Sequence, residues 1–207
     1  MNNSQGTVSW HQQRVGKLTG SVIHNIMSNK ENSLSRVKLL KILALERLSG
    51  SPTKNIVTEP MARGLRLESD ARLAYELDKQ EVVLVGFIDH PSINFAGCSP
   101  DGLVGDNGLI EIKCLNQKNH EQIIRKDSIP RKYYTQIQFQ LACSQRDWCD
   151  FVLFHPEVEE ALFIKRVYPN QVFIKDMTQK VIIFLAEVNQ LHQEIKKTNA
   201  EEAYKYM

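Results

Sequence analysis

The hardest constraint on this chain is a change of hydrophobic period along it. Residues 35–79 carry apolar side chains at three- and four-residue spacing, the repeat of a helix face. From Glu81 the repeat shortens, and Val82, Val83, Leu84, Val85, Phe87 and Ile88 form a strand-like run. Helical spacing returns over 131–145, and strand signals follow over 150–155 and 161–167. A last helix over 171–197 has a stripe of Met177, Val181, Phe184, Leu185, Val188, Leu191 and Ile195. Helices, strands, helix, strands, helix in that order predict an α/β (α+β) fold, a central mixed sheet flanked by helices.

Punctuation residues sharpen the boundaries. Ser35 to Leu48 reads as a helix with Val37, Leu40, Ala44 and Leu48 on one side, stopped by Gly50 and Pro52. Pro60 to Lys79 reads as a second helix, with Pro60 in the first turn, where its missing N–H costs nothing. Phe95 to Gly97 is a short strand. Strands at Gly102 to Gly105 and Leu109 to Leu115 then flank the turn Asp106-Asn107-Gly108. A single domain over 1–207 is expected, made of an N-terminal helical part (1–57), a core (58–168) and a C-terminal helix (169–207).

The hairpin carries the chemistry. Glu111 and Lys113 project to one face of their strand, while Ile110, Ile112 and Cys114 project to the other. A two-residue loop at Asp106-Asn107 would set Asp101 against Ile112, on the wrong face. A three-residue loop with Gly108 as a left-handed bulge instead sets Gly105 against Leu109, Leu103 against Glu111 and Asp101 against Lys113. The second register is the one predicted, and it gathers Asp101, Glu111 and Lys113 on one face. Two adjacent carboxylates repel unless a cation lies between them. Mg2+ prefers such hard oxygens, and the backbone carbonyl of Ile112 is a natural third ligand. Lys113 can orient a water or stabilise charge on a phosphate.

Glu68 is a third acid of interest. Helical spacing places it among Met61, Leu65, Ala71 and Tyr75, where a carboxylate is costly unless a metal, a cation or a donor meets it. Pairing with Arg72 or Arg63 is the structural alternative.

Composition narrows the rest. The 207 residues are 42% hydrophobic and 24% charged, with a net charge of only +2, so affinity for a polyanion must come from local clustering. Lys118, Arg125, Lys126, Arg131 and Lys132 form one such cluster, which serves equally as a solvated surface or as a track for a phosphate backbone. Cys98, Cys114, Cys143 and Cys149 contain no C-x-x-C pair, which points to reduced thiols and away from zinc or iron–sulfur sites. The six histidines show no ligand spacing, and no Gly-rich phosphate loop suggests an ATPase. Neither a membrane span nor a secretory leader is expected, which suits a cytoplasmic protein.

Four separated segments together resemble the lambda exonuclease family of phage-type alkaline exonucleases, in the PD-(D/E)XK nuclease superfamily. They are Trp10-His11 with Arg14, Gly16, Thr19 and Ser21; Gly64 with Glu68, Ala71 and Arg72; Cys98 to Leu103 with Glu111 to Cys114; and Tyr133 with Gln136 and Gln138. The resemblance covers roughly residues 10–140 and leaves the C-terminal third unmatched.

The resemblance implies a restriction-endonuclease-like core and a catalytic set of Glu68, Asp101, Glu111, Lys113 and Gln136. Asp101, Glu111 and the Ile112 carbonyl would bind Mg2+, with Glu68 binding directly or through water. Two ions are expected, and Mn2+ as a substitute. Arg14, Ser21 and Ser99, with Gln136 nearby, would hold a 5′-phosphate. The implied activity is 5′→3′ digestion of one strand of linear double-stranded DNA to 5′-mononucleotides, during phage-type recombination. The implied partners are DNA ends, two further copies in a homotrimer, and a single-strand annealing protein. An endonuclease or repair nuclease of the same superfamily is the first alternative, and a DNA-binding module without activity is the second.

Overall fold

The computed structural model describes residues 4–28, 33–53 and 57–205, without the side chains of 199–205. In chain order the elements are α1 (Val8–Gln13), β1 (Leu18–Thr19), a 3-10 helix (Gly20–Ile26), α2 (Leu34–Ser49), α3 (Glu59–Asp78), β2 (Val82–Val83), β3 (Ile88–Asp89), β4 (Ala96–Cys98), β5 (Gly102–Val104), β6 (Gly108–Lys113), α4 (Gln117–Lys126), α5 (Arg131–Ser144), β7 (Trp148–Phe154), β8 (Leu162–Val167) and α6 (Gln171–Lys205). The mixed α+β architecture is as expected. Its strands, however, divide between a five-stranded sheet, β2-β5-β6-β7-β8, and a three-stranded sheet, β1-β4-β3.

The five-stranded sheet lies between two helices. On one face Ile110 and Ile112 of β6, with Cys114 just beyond it, pack with Val152 and Phe154 of β7 against Ala71 and Tyr75 of α3. On the other, Leu109, Phe151 and Leu153 pack against Tyr133, Ile137 and Leu141 of α5. Strand β6 is therefore buried on both faces, and it runs parallel to β7. A one-residue slip would drive Glu111 and Lys113 into the α3 face. Register is pinned because that cost adds to the loss of about 1.5–3 kcal/mol for each apolar side chain removed from its core. A third core joins α2, the 3-10 helix and α6 through Leu39, Leu43, Ile23, Met177, Phe184 and Val188.

Several sequence expectations need correction. The hairpin register is Val104↔Gly108, Leu103↔Leu109 and Gly102↔Ile110, so Asp101 comes opposite Glu111 rather than Lys113. The left-handed residue is Gly105, with φ 52°, and not Gly108. Gly108 belongs to β6, where a Cβ would come within 2.2 Å of the Trp148 ring. The displacement is two residues, so side chains keep their faces and the shared face of Asp101, Glu111 and Lys113 survives.

The run 82–88 is not one strand. Val82–Val83 pairs with β5, whereas Ile88–Asp89 pairs with β4 in the other sheet, and the chain between them crosses from sheet to sheet. On α2 the buried face is Arg36, Leu39, Leu43 and Ala44, turned from the expected one. The turn lets Arg36 make a bidentate ion pair with Glu187 of α6, with Nη1–Oε2 at 2.9 Å and Nη2–Oε1 at 2.7 Å. On α3, Met61 and Leu65 are exposed, so Glu68 stands at the end of the buried stripe rather than amid it.

Candidate active site

In the middle of the five-stranded sheet, β6 delivers Glu111 into a fully buried position. Burial of a carboxylate requires donors, and three converge on it. Gln136 Nε2 donates to Oε1 at 2.6 Å, Gln140 Nε2 donates to Oε2 at 2.6 Å, and the Lys113 ammonium donates to Oε1. The two glutamines are one helical turn apart on α5, so both can reach one side chain of the strand beneath them. Lys113 also donates to the Ile112 carbonyl at 3.1 Å. Burial opposes the charge of Lys113, but Glu111 and Asp101 outweigh it and push its pKa above the ordinary lysine value.

Asp101 lies just before β5. Its N–H donates to the Ile110 carbonyl at 3.1 Å, and its Oδ2 accepts from the Ile112 N–H at 2.6 Å. Burial, then the neighbouring Glu111, push the Asp101 pKa well above the usual carboxylate range, with Lys113 opposing. Glu68 stands nearby on α3 with its side chain about one-third exposed and 3.7 Å from Arg72. Its pKa is raised by burial and by Glu111, against the pull of Arg72 and Lys113. Both anions are thus held where the charged form is costly.

This donor set fits a hard divalent cation. Asp101, Glu111 and the Ile112 carbonyl are all oxygens, and the Lys113 ammonium already bridges Glu111 Oε1 and the Ile112 carbonyl, marking the point where positive charge is favoured. Among the described residues, no three His, Cys, Asp or Glu side chains gather tightly enough to hold a metal unaided. Any ion here would therefore need the backbone carbonyl, water or substrate oxygens as well, which is how Mg2+ is commonly held.

The N-terminal segment is laced to the same place. Gln5 Nε2 donates to the Pro100 carbonyl at 2.7 Å, and Trp10 Nε1 donates to Ser99 Oγ at 2.9 Å. Trp10 in turn supports Arg14, whose guanidinium carbon lies 3.9 Å from the indole centroid. Among the described residues Arg14 has no ion pair. Burial lowers its pKa and nearby Glu46 partly restores it. Ser21 lies in the 3-10 helix, with its hydroxyl 3.3 Å from Thr19 Oγ1. Neighbouring Gly20 faces Gln136 and Gln140. The segment thus brings Arg14 and Ser99 together through Trp10, while Ser21 approaches along α5.

Gln140 escaped the sequence reading. The i, i+4 pair of glutamines on an otherwise apolar helix face was the available signal. Gln138, part of the matched motif, points elsewhere: its amide donates to the Tyr168 carbonyl and accepts from the Asn170 N–H. A second buried polar group was also missed. Asp150 accepts from the Tyr75 hydroxyl at 2.8 Å and from Arg166 Nε and Nη2, each at 2.8 Å. It fastens α3 and β8 to β7. All four cysteines are free and buried, as expected.

Comparison with known proteins now decides the family. The model of the YqaJ-like viral recombinase domain matches residues 9–147, which takes in the whole site. The chain belongs to this family. Among solved structures, it is similar to the alkaline exonuclease LHK-Exo of Laribacter hongkongensis. The two are 36% identical, with 94% of this chain and 99% of that one covered and a TM-score of 0.87. LHK-Exo in complex with dAMP matches at a TM-score of 0.88, with the same identity and coverage. A phage related exonuclease from Haemophilus somnus 129PT shares the fold at 15% identity and a TM-score of 0.65, covering 86% of this chain and 96% of that one. Among curated proteins none matches. The YqaJ-like chain is a nuclease of the alkaline exonuclease type, and the resemblance to the lambda exonuclease family is borne out at that level.

Proposed function

We propose that this protein is a Mg2+-dependent exonuclease that digests one strand of linear double-stranded DNA from its 5′ end to 5′-mononucleotides. The observation that carries the reading is the buried Asp101–Glu111–Lys113 group, with the Arg14–Trp10–Ser99 assembly attached to the residues just before Asp101. A divalent cation held by Asp101, Glu111 and the Ile112 carbonyl, with Glu68 beside them, would polarise the phosphodiester and favour deprotonation of the attacking water; Mn2+ can substitute, and a second ion would stabilise the leaving oxygen. Gln136 and Gln140 hold the Glu111 carboxylate in place. The Lys113 ammonium supplies positive charge for the phosphate as the bond to its leaving oxygen breaks. Arg14, with Ser99 and Ser21, grips the terminal 5′-phosphate through its planar fork.

Further expectations come from the family likeness: a ring-shaped homotrimer, a single-strand annealing protein as partner, and work in phage-type recombination inside a bacterial host. Among the described residues no helix is long and apolar enough to cross a membrane.

Two experiments test this reading. With Mg2+, an end-labelled linear duplex should be digested from its 5′ ends while a covalently closed circle of the same sequence survives. Cutting of the circle would favour an endonuclease, and absence of turnover on either would favour a binding module. Arg14→Ala should slow digestion of 5′-phosphorylated ends by at least about tenfold, because a charge-assisted bidentate contact is worth about 1.5–3 kcal/mol. It should affect 5′-hydroxyl ends much less. Equal slowing of both ends would remove Arg14 from phosphate recognition.

A further inference from the structure

Of the five basic residues clustered after β6, only three converge. Lys126, Arg131 and Lys132 line a cleft of about 660 Å³ between α4 and the start of α5, whereas Lys118 and Arg125 do not. Among the described residues no acidic one lines the cleft. Asp127, next to Lys126 in sequence, is paired with Lys165 at 2.7 Å. A chain of net charge +2 therefore concentrates three positive charges on one concavity.

The cleft adjoins the proposed active site. Leu115, two residues beyond Lys113, and Tyr133, one helical turn before Gln136, form part of its wall. The Lys113 and Lys132 ammonium groups lie 5.5 and 4.4 Å from the Tyr133 ring centroid. At about 1.5 Å of rise per residue, Arg131 is roughly 7–8 Å along α5 from Gln136, the scale of a neighbouring phosphate on one strand. The helix start adds to the field, since Pro130 caps α5 without a side-chain bond and the positive end of the helix dipole lies at Arg131. Tyr133 is no stacking platform, because it is buried and its ring is stacked on Phe151, with centroids 5.8 Å apart. Tyr134, which also lines the cleft, is half-buried with its ring edge-on to Phe173, centroids 5.4 Å apart, so the three positive charges are what suit the cleft to a sugar–phosphate backbone.

We propose that the cleft formed by Lys126, Arg131 and Lys132 binds the phosphates of one DNA strand next to the phosphodiester being cut. The proposal rests on the nuclease reading above for its substrate, but not on turnover.

The test measures equilibrium binding of full-length protein, in EDTA, to a labelled 5′-phosphorylated duplex and to a single strand of the same length, across a salt series. Lys126→Gln/Arg131→Gln/Lys132→Gln should weaken both on the order of tenfold or more near physiological salt. It should lower the slope of log affinity against log salt by about 2–3 on duplex, given about 0.9 per phosphate neutralised. Lys118→Gln/Arg125→Gln/Lys175→Gln removes the same charge outside the cleft and should change neither. The charge-keeping variant Lys126→Arg/Arg131→Lys/Lys132→Arg should retain wild-type slope, which separates lost charge from lost folding. Equal weakening by the two glutamine triples, or an unchanged slope in the cleft triple, would overturn the proposal. Loss confined to the duplex would overturn the assignment to one strand. Cleft-dependent binding by a protein that digests nothing in Mg2+ would support the cleft and sink the exonuclease reading.

Discussion

Lys113→Ala and Asp101→Asn are each expected to reduce Mg2+-dependent digestion of a linear duplex by about a hundred- to a thousandfold, the scale seen when a charge-stabilising group is removed from a water-excluded site. Folding should survive both. Without Lys113, Glu111 keeps its amide bonds from Gln136 and Gln140, and asparagine at position 101 keeps a side-chain oxygen for the Ile112 N–H. Glu111 is a harder position. Its replacement by alanine would strand three donors around a buried void, at about 1–3 kcal/mol for each unsatisfied group, so lost activity there would not be separable from lost structure. Glu111→Gln retains acceptor capacity and is the better probe. The measurement is release of label from a 5′-labelled duplex, alongside thermal unfolding of each variant. Undiminished release by all three variants would remove these residues from the chemistry.

Asp150→Ala should lower stability by roughly 1–3 kcal/mol, the usual cost of leaving a buried group such as the Tyr75 hydroxyl unsatisfied, because Arg166 is about 40% exposed and can turn to water. For a chain of this size that corresponds to a fall in melting temperature of about 2–12 °C. Two features make the loss large. Asp150 is about 1% exposed, and among the described residues it is the acceptor for both the Tyr75 hydroxyl and the Arg166 fork. Tyr75 records the same environment: burial, then the bond to Asp150, raise its pKa above the ordinary tyrosine value. Asp150→Asn keeps one acceptor oxygen and should lose clearly less. Melting temperatures of the two variants within a degree or two of wild type would show the network to be dispensable.

The helices and the long strands were legible because their periods are long enough to register. Residues 171–197 were read as a helix, and Met177, Val181, Phe184, Leu185 and Val188 are buried as the stripe implied. The shared face of Asp101, Glu111 and Lys113 was legible too, for a reason that did not depend on the right loop. Parity along a strand is insensitive to a shift of two. The loop itself was misread, since glycine signals either a left-handed turn or a crowded strand position, and only the place of Trp148 in space distinguishes them. Strands β1 to β4 each have two or three residues, too few to show a period. Helix α4 was missed because its apolar residues, Ile123 and Ile124, adjoin a polar and charged remainder.

The candidate site was legible in its acids and its lysine, and less so in what surrounds them. Gln140 and Asp150 are polar residues whose partners lie on other elements, and no local spacing names a partner tens of residues away. Arg14 entered only through resemblance. A lone arginine in a polar segment carries no signal until an indole lies under it.

The bonds from Gln5 to Pro100 and from Trp10 to Ser99 join positions 95 and 89 apart in the chain. During synthesis the first of each pair leaves the ribosome long before the second. The Arg14–Trp10–Ser99 assembly therefore cannot form until the chain has grown past residue 100, and closing so long a loop is a slow, non-local step. The contact between Trp10 and Ser99 is thereby postponed to the folding stage at which Asp101, two residues beyond Ser99, takes its own place.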